Sequence, residues 1–372
     1  MNKMAATMAL VCASQMGYSH DLTALPLGDG KLSQAPKVGW IWACHVEPQA
    51  GGSQRDGPWI NAAKGTYDAT AKAVVPGQVA WPSQFSVAVQ QERRVFTSND
   101  LPSHATGTFP VPSESEAYRY DRNPNRIGAQ SLQVALPLWP VLAAQASCAP
   151  GALGFLLTGA VLFNALDAPG RDAVAHETQD ACQGHPQESG LYHYHSLSSC
   201  LPDKREPGGH SALVGYLLDG FGLYGPFGEN GQALASQDLD ECHGHIHSIV
   251  WEGKPVAMYH YHATPDFPYT AGCLRGSYNR ADVMALSGPR PERGQGMPGP
   301  AGRNPPGPGL ARPGAAPGMD GPPDLGRAAA QLGISVQALR QGLGPPPPDL
   351  GAAAARLGIS VDTLRSALDA AR

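Results

Sequence analysis

Imidazole side chains that recur at fixed spacings are the strongest chemical signal in this sequence. Eight of the thirteen histidines belong to two stretches of chain that can be laid over each other. The first stretch reads Asp180-Ala-Cys182-Gln-Gly-His185, then Tyr192-His193-Tyr194-His195, then Cys200-Leu201. The second reads Asp240-Glu-Cys242-His-Gly-His245, then Tyr259-His260-Tyr261-His262, then Cys273-Leu274. This internal repeat predicts that one small structure is built twice.

Alternation along a β-strand would place the two histidines of each Tyr-His-Tyr-His segment on one face. A strand rises roughly 3.3 Å per residue, and its side chains alternate between the two faces of the sheet. His193 and His195 therefore share a face, as do His260 and His262. Two such imidazoles, with Cα atoms roughly 6.5 Å apart, can converge on one cation at about 2 Å from each nitrogen.

Further nitrogen donors accompany each pair. Gly184 and Gly244 let the chain turn closely beside His185 and His245, so each repeat can bring a third imidazole to the same ion. We expect imidazoles from both halves of the duplication to meet around a shared cation. The candidate metal ligands are His185, His193, His195, His243, His245, His247, His260 and His262.

The type of donor limits the metal. Imidazole-rich sites suit zinc, copper, nickel or iron, and not calcium or magnesium. Met258 shares the face of His260 and His262, which favours copper, but Leu191 occupies the matching place in the first repeat. The expected cofactor is therefore a transition-metal ion, copper or zinc.

Carboxylates near the imidazoles are candidates for supporting roles. Asp180, Asp240 and Glu241 are expected either to fix imidazole tautomers or to serve as oxygen ligands. A second polar site is one interpretation of a further group, and a capped helix explains that group about as well. Its members are Asp167, Asp172, His176 and Glu177.

The competing interpretation of the histidines is a polar core in which imidazoles only hydrogen-bond backbone or carboxylate groups. Matched pairs favour metal, because burying that many imidazoles without an ion leaves donors and acceptors to satisfy, and charging them would cost several kcal/mol each. For the tyrosines of the two motifs, a role as core aromatics is favoured over ligation. These are Tyr192, Tyr194, Tyr259 and Tyr261.

The N-terminus and the cysteines predict export. Residues 1–17 carry a cation at Lys3, then an apolar run and small residues that suit cleavage, which indicates a signal peptide; an ordinary cytoplasmic N-terminus is the alternative. Removal of Cys12 leaves an even set of six cysteines, as in proteins of an oxidising compartment, either periplasmic or secreted. No pair has Cys-x-x-Cys spacing, which disfavours a zinc knuckle or a dithiol redox pair.

The duplication also bears on cysteine pairing. Six cysteines allow about fifteen pairings. Because Cys182 and Cys200 flank the first Tyr-His-Tyr-His segment as Cys242 and Cys273 flank the second, the repeat predicts the disulfides Cys182 to Cys200 and Cys242 to Cys273. Cys44 and Cys148 then form the third.

Composition favours one large domain. The 372 residues are 42% hydrophobic and 15% charged with a net charge of −5, which can bury a core and does not attract nucleic acid or an anionic membrane surface. No segment is long and apolar enough to span a bilayer. The expected organisation begins with a signal peptide over 1–17 and a β-rich α+β domain with few short helices over 37–288. Within that domain the internal repeats cover about 167–201 and 219–274. A Pro/Gly-rich linker over 289–323 and two helical repeats over 324–372 follow.

Local patterns predict the elements within the domain. Strands are expected over 79–89, 94–97, 132–142 and 212–216, and 153–166 is expected to fold back near Thr158-Gly159. A helix is expected over 172–182, opened by Asp172. Residues 248–262 are predicted to form a hairpin that turns at Gly253-Lys254. Leu166-Asp167 and Leu218-Asp219 are expected to mark another matching element.

The C-terminal repeats each predict a pair of short helices split by Leu-Gly-Ile-Ser. Asp324 and Asp349 suit N-caps, and Gly333 and Gly358 suit the turns between the helices, with Ser335 and Ser360 as the following caps. The pattern superficially resembles a DNA-binding helix-turn-helix. Because each unit is small, its charges nearly cancel and the chain looks exported, we expect instead a tethered module for a protein or envelope partner.

At these motifs the sequence resembles the YHYH-domain family of exported bacterial proteins. The resemblance runs from about Asn99 to Ser277 and includes Gly190-Leu-Tyr-His-Tyr-His195, Asp240-Glu-Cys-His-Gly-His245 and Met258-Tyr-His-Tyr-His262. It implies an exported single domain with a metal site. Where the family pattern has a carboxylate before His104, this chain has Ser103, so the resemblance assigns His104 no role.

Three functions remain open at this level. The first is binding, namely the capture, storage or sensing of copper or zinc outside the cytoplasm. The second is an extracytoplasmic metalloenzyme, a hydrolase or an oxidoreductase, which needs an open coordination position beside a base such as Asp240, Glu241 or His247. The third is a structural envelope protein without metal. Gly-x-Ser-x-Gly is absent from the sequence, which disfavours serine hydrolase chemistry.

Overall fold

The computed structural model describes residues 21–45, 51–202, 204–287, 325–334, 336–343 and 350–369. They belong to two compact units, Met1–Gly296 and Met297–Arg372. Strands dominate the first unit and short helices form the second, which confirms the predicted β-rich α+β class. The expected signal peptide and the linker over 289–323 lie outside the described residues.

Seven strands precede the histidine motifs. They form a three-stranded sheet in the order β1-β3-β2, a second in the order β4-β5-β6, and a strand β7 that pairs later in the chain. Their bounds are β1 Leu25–Pro26, β2 Ile60–Asn61, β3 Thr66–Tyr67, β4 Phe85–Gln90, β5 Arg93–Ser98, β6 Leu132–Pro137 and β7 Leu142–Cys148. The strand expected over 132–142 is thus two strands, because prolines 137 and 140 interrupt the ladder between them.

An eight-stranded sheet carries the histidine motifs. Its strands are β8 Ala152–Leu156, β9 Val161–Phe163, β10 Gly184–Pro186, β11 Tyr192–Tyr194, β12 Leu213–Leu217, β13 Gly222–Tyr224, β14 Gly244–Trp251 and β15 Lys254–His262. Their order is β10-β11-β9-β8-β12-β13-β15-β14. The second half mirrors the first, since β8 corresponds to β12, β9 to β13, β10 to β14 and β11 to β15. A final strand, β16 Cys273–Gly276, pairs with β7.

The expectation of one cation shared by both halves is wrong. The two Tyr-His-Tyr-His strands, β11 and β15, are separated by β9, β8, β12 and β13. With neighbouring strands about 4.8 Å apart, five such steps place them roughly 24 Å from each other. The sequence could not supply this separation, because it depends on the antiparallel pairing of β8 with β12 at the middle of the sheet.

Burial on both faces explains the continuous apolar runs at the centre of the sheet. All five residues of β8 are buried, as expected for a strand covered on both sides. Phe96 of β5 stacks on Phe155 of β8 at 5.7 Å between ring centroids. The β4-β5-β6 sheet therefore packs against the central strands, where both rings belong to the main core. The turn predicted at Thr158-Gly159 lies between β8 and β9.

The predicted hairpin is longer than the pattern indicated. β14 begins at Gly244, and the chain turns at Glu252 and Gly253, both of which have positive φ. The expected match between Asp167 and Asp219 is wrong. Asp219 lies in the turn between β12 and β13, whereas Asp167 follows β9.

The helix expected over 172–182 is a single turn. Helix α1 covers Ala173–His176, and Asp172 caps it by accepting a hydrogen bond from the backbone N–H of Ala175. Glu177 has an extended backbone, so the helix ends there. A second helix, α2 Arg280–Leu286, was not predicted; its N-cap is Asn279.

Three disulfides join the six cysteines in the pairs that the duplication predicts. They are Cys182 to Cys200, Cys242 to Cys273, and Cys44 to Cys148. The first closes a loop of chain that contains β10 and β11, and the second closes the loop with β14 and β15. The ligand-bearing strands are therefore covalently tied at the base of each repeat.

The described residues of the second unit form four short helices, two from each repeat. They are α3 Leu325–Leu332, α4 Val336–Leu343, α5 Leu350–Leu357 and α6 Val361–Asp369. Gly333 and Gly358 have the positive φ predicted for the turns between paired helices, while Asp324, Ser335 and Asp349 lie outside the described residues. Small and aliphatic residues form this unit's own core, including Ala328, Leu339, Ala353 and Leu364. Among all the described helices, none has the length and apolar character needed to cross a bilayer.

Candidate metal centres

Six of the eight predicted histidines gather in two separate places, and His210 joins one of them. The first histidine cluster is His185, His193 and His195, and the second is His210, His245, His260 and His262. Within each cluster, one ring nitrogen from every member lies within 4.8 Å of the others. Each cluster belongs to one half of the central sheet.

Strand register assembles the first histidine cluster. β10 and β11 are antiparallel, with His185 directly opposite His193. His195, two residues beyond His193, lies on the same face, and its Nε2 atom is 3.2 Å from Nε2 of His193. The sequence-based expectation that alternate residues of this strand share a face is therefore met by the geometry.

Backbone carbonyls fix the orientation of these rings. Nδ1 of His195 lies 2.5 Å from the carbonyl oxygen of Asn164, and Nδ1 of His193 lies 3.5 Å from that of Leu191. Because a carbonyl can only accept, Nδ1 of His195 carries the proton, whereas the 3.5 Å contact does not fix the tautomer of His193. Nε2 of His195 therefore presents a lone pair toward Nε2 of His193, 3.2 Å away.

Buried atoms without a hydrogen-bond partner also face this point. Among the described residues, both ring nitrogens of His185 and Oε2 of Glu177 are buried and unpaired. That oxygen is 3.5 Å from Nε2 of His185 and 3.5 Å from Nε2 of His195. Unpaired buried polar atoms cost on the order of 1–3 kcal/mol each, so a group that satisfies them would stabilise the fold.

The second histidine cluster is assembled by the corresponding strands. His245 of β14 lies directly opposite His260 of β15. Nε2 of His245 is 3.1 Å from Nε2 of His260 and 3.1 Å from Nε2 of His262. Nε2 of His210 is 3.1 Å from Nε2 of His260, which brings a fourth imidazole to the cluster.

Backbone carbonyls also fix tautomers in the second cluster. Nδ1 of His260 faces the Met258 carbonyl at 3.0 Å, and Nδ1 of His262 faces the Gly225 carbonyl at 2.6 Å. Nδ1 of His210 faces the Ser211 carbonyl at 2.7 Å. These three rings therefore also direct Nε2 lone pairs at a common point.

Burial keeps the imidazoles neutral at pH 7. It lowers the pKa of His195 and of His245 to about 4, and that of His260 to about 3. Burial likewise lowers the pKa of each remaining member, well below its usual value except at His210, where the shift is smaller. Neutral imidazole is the form that binds metal.

The spacing of the nitrogens suits a tetrahedral ion. Zinc lies about 2.0–2.1 Å from each histidine nitrogen, so the nitrogens of a tetrahedral site are about 3.3–3.4 Å apart. The separations of 3.1–3.2 Å between Nε2 atoms in the two clusters are close to that value. By donor type and spacing, each cluster could hold a transition-metal ion.

The two clusters differ in exposure. His185, His193 and His195 are at most 5% exposed, and Glu177 is 8% exposed. In the second cluster His245 is only half-buried. Beside it, His247 pairs with the exposed carboxylate of Glu229 at 2.5 Å, and its ring stacks on His210.

Asp180 and Asp240 anchor turns and do not contact imidazoles. Asp180 accepts hydrogen bonds from the backbone N–H groups of Cys182 and Gly184 and from the hydroxyl of Tyr192. Asp240 does the same for Cys242, Gly244 and Tyr259. The imidazole tautomers, which these carboxylates were expected to fix, are fixed by backbone carbonyls instead. For Glu241, the contact found is between its backbone oxygen and Sγ of Cys273, at 3.5 Å.

The glycines of the two motifs are required by the tyrosines. A Cβ atom at Gly184 would lie 2.2 Å from the ring of Tyr192, and one at Gly244 would lie 2.5 Å from the hydroxyl of Tyr259. The tyrosines are buried on the face opposite the histidines, as expected for core aromatics. Each turn can therefore approach its strand only with glycine at this position.

Other expected ligands lie outside the clusters. His243 is buried and its Nε2 is 3.0 Å from the Thr264 hydroxyl, while His247 pairs with Glu229. His210, a member of the second cluster, was missed, because it is a lone histidine outside both motifs. Only the fold brings it to β15.

The second polar site suggested by the sequence, at Asp167, Asp172, His176 and Glu177, mostly forms hydrogen bonds and ion pairs that connect chain segments. Asp172 caps α1, and Arg171 pairs with Asp167. His176 lies between two carboxylates, at 2.9 Å from Asp29 and 2.9 Å from Asp56. Glu177 is the exception, since its side chain reaches the first histidine cluster.

His104 supports the first repeat from outside. Its Nε2 accepts from the hydroxyl of Tyr194 at 2.6 Å, and its Nδ1 faces the Ala105 carbonyl at 2.9 Å. It also lies near Cys182 and Cys200, but those sulfurs form a disulfide and do not serve as ligands.

Comparison with known proteins gives one match. Residues 133–233 match the family model described as YHYH protein, which confirms the resemblance seen in the sequence. The matched stretch contains the first histidine cluster and His210, and it ends before the second Tyr-His-Tyr-His segment. No curated protein and no solved structure matches the chain at a significant level.

Proposed function

We propose that this protein binds two transition-metal ions, one in each histidine cluster. Its task is the capture, storage or sensing of copper or zinc. The observation that carries the proposal is the convergence of imidazole Nε2 atoms at 3.1–3.2 Å in both clusters. The rings whose Nδ1 faces a carbonyl direct an Nε2 lone pair inward, namely His195, His210, His260 and His262.

The location supports this task. Three disulfides fit a protein outside the cytoplasm, where thiols are oxidised. We place the protein in the periplasm or in the secreted fraction. There it meets metal ions before they reach cytoplasmic proteins.

The donor set of the second cluster favours binding over catalysis. Each cluster offers at least three imidazoles, and the second offers four, which is the number in a closed zinc site. A closed site holds its ion without a free position for substrate. Capture or storage needs no more than this.

The proposal is tested by titrating metal-free, oxidised protein with Zn²⁺ and Cu²⁺ in a calorimeter. We expect two equivalents per chain, and release of both as the pH falls toward about 4, because burial lowers the pKa of His195 and of His245 to about 4 and protons compete for the imidazoles only near that pH. His243→Ala is the matched control, since that histidine is buried but outside the clusters, and it should keep both equivalents. Failure of the wild-type protein to bind either ion would leave a structural envelope protein without metal.

A metallohydrolase is a second candidate, favoured by the surroundings of the second cluster. The half-buried His245 is the ligand that water can replace on the ion, and the adjacent His247–Glu229 pair would then accept a proton from that metal-bound water. If this candidate is correct, zinc-loaded protein hydrolyses an activated ester, and His247→Gln lowers the rate without lowering zinc stoichiometry. A rate equal to that of zinc-free protein excludes it.

The helical repeats are assigned a separate task. We propose that the four C-terminal helices dock a protein or envelope partner and so hold the metal-binding unit in place. The repeats have their own apolar core, which supports a module that folds as a unit. A pull-down from envelope extracts with residues 297–372 as bait would test this, and recovery of nothing beyond the control would contradict it.

A further inference from the structure

We propose that Glu177 is the fourth ligand of the first histidine cluster, so that the two halves hold their ions with different donor sets and different metal preferences. The first site then has three imidazoles and a carboxylate, which reduces its preference for copper over zinc. The second has four imidazoles and prefers copper by a larger factor. This inference rests on the proposed function and adds the identity of the fourth ligand.

The position of Glu177 supports ligation. Its Oε2 atom is buried and unpaired, and it lies 3.5 Å from the Nε2 atoms of His185 and His195. With the 3.2 Å separation of His193 and His195, three edges of a tetrahedron have nearly equal lengths. The nearby ammonium of Lys72 donates to Gln179.

The fourth donor comes from a different position of the repeat in each half of the sheet. Glu177 lies three residues before Asp180, and the residue three before Asp240 is Gln237, which is exposed. Conversely, His210 lies three residues before β12, and the residue three before β8 is Ala149. Each half thus supplies a single extra donor, from a position where the other half has none.

Burial explains why the sealed site has the anionic ligand. A divalent ion among neutral imidazoles keeps a charge of +2, which is costly to bury. A carboxylate ligand halves that net charge in the first site, where every donor is at most 8% exposed. The second site is half-open at His245 and has the Glu229 carboxylate at its edge, so solvent and a neighbouring charge compensate the ion there.

The donor sets also separate the metals. Every nitrogen-rich site prefers Cu²⁺ to Zn²⁺, but carboxylate oxygen suits harder ions than imidazole does. Replacing one imidazole by a carboxylate therefore narrows the preference for copper. The second site should bind copper over zinc by a larger factor than the first site.

The test uses the full oxidised chain, with Zn²⁺ and Cu²⁺ as probes in chelator competition. Glu177→Gln keeps the shape of the side chain and removes its charge, and it should weaken one zinc equivalent by about tenfold or more. Glu188→Gln makes the same change at an exposed position of the same repeat and should leave both equivalents unchanged. Glu177→His should raise the copper preference of the first site toward that of the second.

X-ray absorption of zinc-loaded protein provides a readout that does not depend on folding of the histidine variant. The wild type should require one oxygen ligand for every two zinc ions, and Glu177→Gln should lose it. Two zinc equivalents of wild-type affinity in Glu177→Gln, or a nitrogen-only spectrum in the wild type, would overturn the role of Glu177. A wild-type chain that binds no metal would instead overturn the proposed function.

Discussion

The two histidine clusters are built from the same strands and differ in what surrounds them. In each, a turn held by an aspartate brings one histidine opposite a Tyr-His-Tyr-His strand, whose alternation adds two more. The first cluster is sealed and has Glu177 beside it, whereas the second is half-open and has His210. The repeated motif therefore fixes three donors in each cluster. The fourth group comes from another part of the chain, and it differs between the buried cluster and the half-open one.

Removing a strand histidine should produce the largest difference in metal affinity between the two sites. We expect His193→Ala to weaken metal binding at the first site by about 1,000-fold, more than the 10–100-fold typical of residues that only orient ligands. The second site should be unaffected, because the strands lie roughly 24 Å apart. His260→Ala should give the reverse pattern, and both are measured by competition with a chelator. Loss of both equivalents in a folded single variant would show that the sites are linked.

The disulfides offer a second way to sharpen the comparison. Replacing Cys182 and Cys200 by alanine opens a loop of 18 residues that contains all three histidines of the first cluster. By the chain-entropy estimate this lowers the free energy of unfolding by about 3 kcal/mol. Metal affinity should fall at the first site and stay unchanged at the second. Denaturant unfolding and zinc titration of the oxidised double variant measure both effects, and equal weakening of the two sites would contradict local action.

The turn aspartates should have a smaller effect that also differs between halves. Asp180 is 3% exposed and accepts from three backbone N–H groups and the Tyr192 hydroxyl. Asp180→Ala should therefore cost about 2–3 kcal/mol of unfolding free energy. Asp240→Ala should cost about 1 kcal/mol, because its side chain is 29% exposed and water replaces part of what is lost. Thermal unfolding compares the two, and a larger loss for Asp240→Ala would be inconsistent with anchoring by burial.

The C-terminal helices should have no effect on metal binding. They form a unit with its own core, separate from the sheet that carries both clusters. Truncation after residue 296 should leave two metal equivalents with wild-type affinity, measured by elemental analysis and titration. A lost equivalent would mean that the repeats help to form a site.

Sequence reasoning found the parts of this structure that depend on local pattern. Alternation correctly placed His193 with His195 and His260 with His262, and the repeat gave the disulfide pairs. Sequence reasoning missed the donors that come from distant segments. His210 has no motif around it. Because a helix was expected over 172–182, the extended backbone at Glu177, directly after the first turn, was not predicted. The prediction of one cation shared by both repeats was wrong, because the order of the strands separates the two repeats and the sequence does not reveal that order.

Anomalous diffraction from a crystal of zinc-loaded protein tests the central claim most directly. We expect two peaks roughly 20–25 Å apart, given five strand spacings, each about 2 Å from the Nε2 atoms of one cluster. A single peak between the halves, or peaks remote from both clusters, would contradict the account.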